Sequence, residues 1–275
     1  MNFHAKGQNA VLLEHASIID GTGKSLQKEY NVLIVADSIH AILKEGEAVP
    51  ISDYQSVDLT GKYLLPGLFD AHVHFATNPS GGDKLELVEE RLSLMLKNGV
   101  TGVRDMAGDT RQLAFLARQT LLDEIEAPDL YFSALMAGPA FFDDPRTKSS
   151  GQGVIPGHVP WMKGITDETD IVRAVAEAKG TGAAGIKIYA DLPGHLAKKV
   201  IEEAHRQDFL VWAHAALIPG MPSDLVAAGI DGVSHATLLA WEAAVVKPEN
   251  GKQRYNDTEL SIENEGFKTV IEIML

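Results

Sequence analysis

Tyr63–Phe75, YLLPGLFDAHVHF, is an apolar run that ends in Asp70, His72 and His74 at alternate positions; Leu85–Gly99, LELVEERLSLMLKNG, follows it with apolar residues at helical spacing. In a strand, alternate side chains share a face, so both imidazoles and the carboxylate point the same way. Two neutral imidazoles on one rigid strand are half of a divalent-metal site. A strand followed by an amphipathic helix is one βα unit.

The same alternation continues downstream. GVTGVRDMAG precedes TRQLAFLARQTLLDEI, and DLYFSALMAG leads through a long loop to ETDIVRAVAEAKG. AAGIKIYA then precedes HLAKKVIEEAHRQD, FLVWAHA precedes SDLVAAG, and GVSHATLLA follows. Repeated βα units imply a parallel sheet covered by helices. No G-x-G-x-x-G follows the first parallel strand and no G-x-x-x-x-G-K-[ST] occurs, which removes the usual support for a nucleotide-binding open sheet. The reading is an α/β protein: a (β/α)8 TIM-like barrel, incomplete, with about six strands over residues 63–275. FKTVIEIML reads as a helix leading toward a seventh strand. Residues 1–62 carry short apolar runs broken by Gly and acidic turns and read as a small unit of antiparallel strands. The Gly138–Ile165 loop exceeds ordinary connection lengths and is expected to work near the site or wrap an edge.

Composition narrows the chemistry. The chain of 275 residues is 45% hydrophobic and contains no cysteine, so disulfides, thiolate ligands and a cysteine nucleophile are excluded, and a metal must be held by nitrogen and oxygen. A formal net charge of −14 argues against binding a phosphate backbone, and nucleic acid is discarded as a partner. No segment approaches the roughly 18 apolar residues of a membrane span, and the N-terminus lacks a secretory layout. The expectation is a soluble, cytoplasmic protein that does not engage a membrane.

Three more strand ends carry possible ligands: Lys187 in GIKIYA, His214 in FLVWAHA and His235 in GVSHA. In a βα barrel the carboxyl ends of the strands ring one opening, so groups far apart in sequence converge there. Either histidine alone is an ordinary partly buried imidazole. Lys187 between Ile186 and Ile188 is harder to explain, because an unpaired ammonium inside a barrel costs several kcal/mol or loses its charge. A neutral lysine can take up carbon dioxide to form a carbamate, an anionic ligand able to bridge two metals.

These motifs, in this strand order, resemble the amidohydrolase superfamily, and within it the binuclear imidazolonepropionase-like and prolidase-like branch. The resemblance implies that His72 and His74 bind one divalent ion and His214 and His235 a second, both zinc, with carboxylated Lys187 between them. It implies hydrolysis of an amide, peptide or cyclic amide C–N bond by a metal-bridging hydroxide, on a small amide or dipeptide substrate. Tyr189 is implied to hydrogen-bond that substrate. Asp70 is a candidate to fix a ring tautomer or, equally, a capping or salt-bridging carboxylate. His158, in PGHVPW, is either a substrate contact or a plain loop histidine. Arg104 and Asp105 read as an ion pair at the rim.

The chain also departs from the family pattern. No acidic residue after His235 ends an apolar strand, so the expectation is a chain that is C-terminally truncated, without the eighth-strand aspartate that acts as general base, and with weak or no hydrolysis of its own. The β unit is expected to be the first part of a composite β-sandwich. Two alternatives stand beside the binuclear hydrolase. One is a mononuclear deaminase or imidazolone-type ring hydrolase; AALIPG after His214 counts against deamination. The other is an inactive family member serving as a scaffold, with open sheet edges that favour a homo-oligomer.

Overall fold

Two apolar periodicities, short alternating runs followed by βα repeats, resolve into two units, Met1–Leu68 and Phe69–Leu275. The computed structural model describes residues 10–75, 85–151, 153–244 and 263–274.

In the first unit β1 (Ala10–Ile18) pairs antiparallel with β2 (Gln27–Val35), and β2 with β3 (Ser38–Lys44). The sequence predicts antiparallel strands throughout. Instead, β4 (Gln55–Asp58) and β5 (Tyr63–Leu64) run parallel to β1. A tight turn would force an antiparallel hairpin, but the connection over residues 45–54 is long enough to carry the chain past β2 to the other edge of β1. Alternation along β1 and β2 gives each face of the sheet an apolar cluster. Ala10, Leu12 and Leu33 lie in one, Ala16, Ile18 and Val32 in the other.

In the second unit six strands form a near-closed parallel barrel, in which spatial order follows chain order. They are β6 (Leu68–Val73), β7 (Val100–Asp105), β8 (Asp129–Ala137), β11 (Gly185–Ile188), β12 (Leu210–His214) and β13 (Gly232–Ser234). Helices α1 (Leu85–Lys97), α2 (Thr110–Leu121), α4 (Ile171–Lys179), α5 (Gly194–Arg206) and α6 (Pro222–Ala227) connect them. Asp109 caps α2 by accepting from the Arg111 backbone N–H, and Asp170 caps α4 by accepting from that of Arg173. The apolar stripe of α5, Leu196, Ala197, Val200, Ile201 and Ala204, buries against the outward residues of the strands, Ile186, Ile188, Val211 and Ala213.

The long loop contains its own structure. A 3₁₀ turn (Pro139–Asp143), α3 (Pro145–Ser150), β9 (His158–Val159) and β10 (Met162–Gly164) fill it. β10 pairs with the carboxyl half of β8, above the point where β7 stops. Past β13, α7 (Ala240–Ala243) and α8 (Glu265–Met274) follow. Val270 of α8 joins Ala215, Val226 and Leu239 in a small apolar cluster. No helix of the described residues is long and apolar enough to cross a membrane.

Truncating Ile201, which is fully buried, should destabilise the chain by about 2–5 kcal/mol, because the cavity left at the helix–sheet seam collapses only in part. Lys198→Ala on the outer face of the same helix should change stability by no more than about 0.5 kcal/mol. Urea unfolding of both variants checks the assigned face, and equal effects would refute it.

Candidate metal and substrate site

Strand alternation decides what faces the barrel axis. On β11, Ile186 and Ile188 point outward into the core, so Lys187 points inward and is fully buried. On β12, Val211 and Ala213 point outward, leaving Trp212 and His214 inside. On β13, Val233 packs outward beside Ala215 and Val226, so Ser234 faces in. Strict alternation would then send His235 out. The strand ends one residue earlier than expected, and His235 takes a left-handed backbone, φ 61° and ψ 61°, which returns its ring to the same side as Ser234. A non-glycine residue held there stores strain of the kind that clusters at functional sites.

The side chains meet as a connected row. His72 Nε2 lies 3.1 Å from His74 Nε2, and His72 Nδ1 lies 3.1 Å from Ser234 Oγ. Lys187 Nζ donates to Ser234 Oγ at 2.7 Å. The ring of His235 is centred 5.0 Å from that of His72 and 4.5 Å from that of His214. Tyr189 stacks at 4.6 Å on His214 and at 4.9 Å on Phe141. The Tyr189 hydroxyl donates to the Met106 carbonyl at 2.9 Å, which leaves only its lone pairs for a ligand. Four histidines, Lys187 and Tyr189 are thus gathered at one mouth. With the rings in mutual contact, no three His, Asp or Glu side chains among the described residues converge on a single ion position.

Burial and mutual repulsion keep these groups uncharged. Desolvation, with the Lys187 amine next, brings His72 down to about 4. The same two causes lower His74, His214 and His235. Desolvation, with the Arg104 guanidinium second, brings Lys187 down to about 7. Burial raises Tyr189, which keeps its phenol protonated. Neutral imidazoles and a neutral amine are the forms that bind a metal or carbon dioxide. His214 Nδ1 is buried and makes no hydrogen bond of good geometry among the described residues. The residues present therefore fit a nitrogen-ligated divalent site.

A cavity of ≈ 610 Å³ opens over the row, lined by His74, His214, His235, Tyr189, Phe141 and Leu135, with Met162, Arg91, Asp144 and Arg146 among the rest of its wall. Asp144 caps α3 and holds Arg146 through paired contacts of 2.7–3.1 Å. The sequence reading took this stretch as loop, and the structure places the helix that starts at Pro145 over the barrel. Ser234 also escaped the sequence reading, because taking His235 as an inward strand residue sends its neighbour outward. His158 stands exposed on β9 and does not line this cavity. Asp70 accepts the backbone N–H of His72 at 3.1 Å, while the His72 ring is met by Ser234.

Arg104 and Asp105 do not form the rim ion pair that their adjacency suggested. Consecutive strand residues face opposite ways. Arg104 donates to the Ala71 carbonyl and lies 4.1 Å over the Trp212 ring, whereas the fully buried Asp105 accepts the Phe75 N–H. Trp212 in turn requires Gly185, where a Cβ would come within 2.5 Å of the indole and 2.6 Å of the Leu210 carbonyl.

A parallel barrel that gathers such groups at the carboxyl ends of its strands has the layout of a barrel enzyme. The sequence model of the Amidohydrolase family matches residues 63–249, and the chain belongs to that family. A dihydroorotase of Desulforapulum autotrophicum is 37% identical over 92 residues, 33% of this chain and 20% of that protein. One from Chlorobaculum tepidum is 36% identical over 97 residues, 34% of this chain and 20% of the relative. Among solved structures, a Xaa-Pro dipeptidase with bound methionine aligns with TM-score 0.68 at 21% identity, covering 83% of this chain and 62% of that one. Molinate hydrolase aligns with TM-score 0.72 at 16% identity, covering 98% and 62%. The matches thus span a fifth of the curated relatives and 62% of these two structures.

The lowered amine gives a pH signature. Between about 7 and 10.5 the unfolded chain holds a proton on Lys187 that the folded chain lacks, so stability rises with pH across that window. In metal-free protein, Lys187→Met should stabilise most below pH 7. The gain should shrink as pH climbs toward 10.5, by at most about 1.4 kcal/mol per unit. Urea unfolding at several pH values reads this directly, and a pH-independent difference would contradict a neutral buried amine.

Proposed function

We propose that this chain forms the metal-binding barrel of a hydrolase that cleaves the C–N bond of a small amide. One observation carries the reading. Lys187 is fully buried at the barrel axis, its amine donating to a single hydroxyl among the described residues, with four uncharged imidazoles around the same mouth. Such an amine is uncomfortable as an ammonium and suited to becoming an anionic carbamate. His72 and His74 would hold one divalent ion and His214 and His235 another, with carboxylated Lys187 between them. What zinc-like ions supply when bound is a water made acidic enough to attack at neutral pH and polarisation of the amide carbonyl.

The remaining residues bind and orient. Phe141, Leu135, Met162 and the Tyr189 ring give the cavity an apolar wall that excludes water from a bound amide. Arg146, paired with Asp144, adds a guanidinium to the lining. The volume suits a ligand of dipeptide size. The names of the relatives, dihydroorotase and Xaa-Pro dipeptidase, are consistent with small amide-bearing substrates.

The chain, loaded with zinc in bicarbonate buffer and dialysed, should retain roughly two ions by elemental analysis, the complement of a two-metal site. His72→Ala and Lys187→Ala should each lose at least one, with short carboxylates partly restoring the Lys187 variant. One ion per chain with Lys187 unmodified would favour the mononuclear reading. No retained ion would remove the proposal.

A further inference from the structure

The Ser234 hydroxyl touches two of the five proposed ligands without being one. It lies at the last paired position of β13, and its carbonyl accepts from the Ala215 N–H at 2.9 Å, which fixes the backbone beneath it. Lys187 Nζ donates to Oγ at 2.7 Å, and Oγ lies 3.1 Å from His72 Nδ1. Beyond His72 the row continues from Nε2 to His74 Nε2 at 3.1 Å. These contacts join strands 162 residues apart, the first and last of the six.

A hydroxyl can donate or accept, and a neutral imidazole carries its one ring hydrogen on either nitrogen. With that hydrogen on Nε2 of His72, Ser234 donates to Nδ1, and Nε2, the atom beside His74, is closed to a cation. Opening it requires the ring hydrogen to move to Nδ1. The group facing Nδ1 must then change from donor to acceptor, which a hydroxyl does by rotating about Cβ–Oγ while keeping its own proton.

We propose that Ser234 is a positioning residue whose two-way hydroxyl lets His72 carry its hydrogen on Nδ1, and so present Nε2, together with a correctly aimed Lys187, to a divalent cation. This inference rests on the proposed metal site. It assigns to a hydroxyl the ring-orienting part that carboxylates and carbonyls commonly play around metal-bound histidines.

Ser234→Thr and Ser234→Val test it, because the two side chains share one shape and differ in the hydroxyl alone. Zinc affinity is measured by competition with a chromogenic chelator, alongside thermal unfolding of the metal-free proteins. The Thr variant should bind within about threefold of the parent, and the Val variant about 10–100-fold more weakly, the usual cost of losing such a partner. The metal-free Val variant should melt lower, having lost two hydrogen bonds; a cooperative transition above the assay temperature in both variants ties the affinity difference to the metal site. Equal affinities in the Thr and Val variants, or parent affinity in Ser234→Ala, overturn the proposal. A parent chain that retains no zinc fails at the earlier step, the metal site itself.

Discussion

Lys187 places an amine where water does not reach it, and the energetic cost of an ammonium there governs what its neighbours can be. A carboxylate beside it would make a simple buried ion pair. Among the described residues it meets a hydroxyl and a set of imidazoles, each held uncharged by burial and by the amine itself. The result is a set of uncharged donors and acceptors facing one another across about 3 Å contacts, with imidazole nitrogens of the kind that bind cations. The rest of the barrel serves to hold those groups in place.

Holding them depends on departures from regular geometry as much as on regular strands. Alternation alone aims Lys187, His214 and Ser234 inward, and the left-handed turn at His235 adds a ring that alternation would have sent outward. Below the site, Trp212 fills the barrel interior between glycines at 185 and 232 and supports the Arg104 guanidinium, which contributes to depressing Lys187. The long loop after β8 supplies the upper wall of the cavity, so the sequence elements least regular in period shape the space a substrate would enter.

Membership of the amidohydrolase family accounts for the strand-end pattern, while low identity and partial coverage leave the choice of substrate to this chain's own cavity wall. Phe141, Met162 and Arg146 belong to the loop and to the β-ribbon that follows it, the parts of a barrel that vary while the strands persist.

The sequence by itself determined the barrel, the inward register of Lys187 and His214 and the identities of the strand-end histidines, because period-two and helical spacing are local properties of the chain. It also implied neutrality of Lys187, since two flanking isoleucines require both faces of that strand to be covered. Only the tertiary structure decided that Ser234, 162 positions from His72, meets its ring; that Asp70 spends its carboxylate on a backbone N–H; that Arg104 and Asp105 part company; and that α3 lies over the site. Those outcomes depend on which strand ends meet across the barrel and on where a long connection returns, and such distances are set by closure of the sheet rather than by neighbours along the chain.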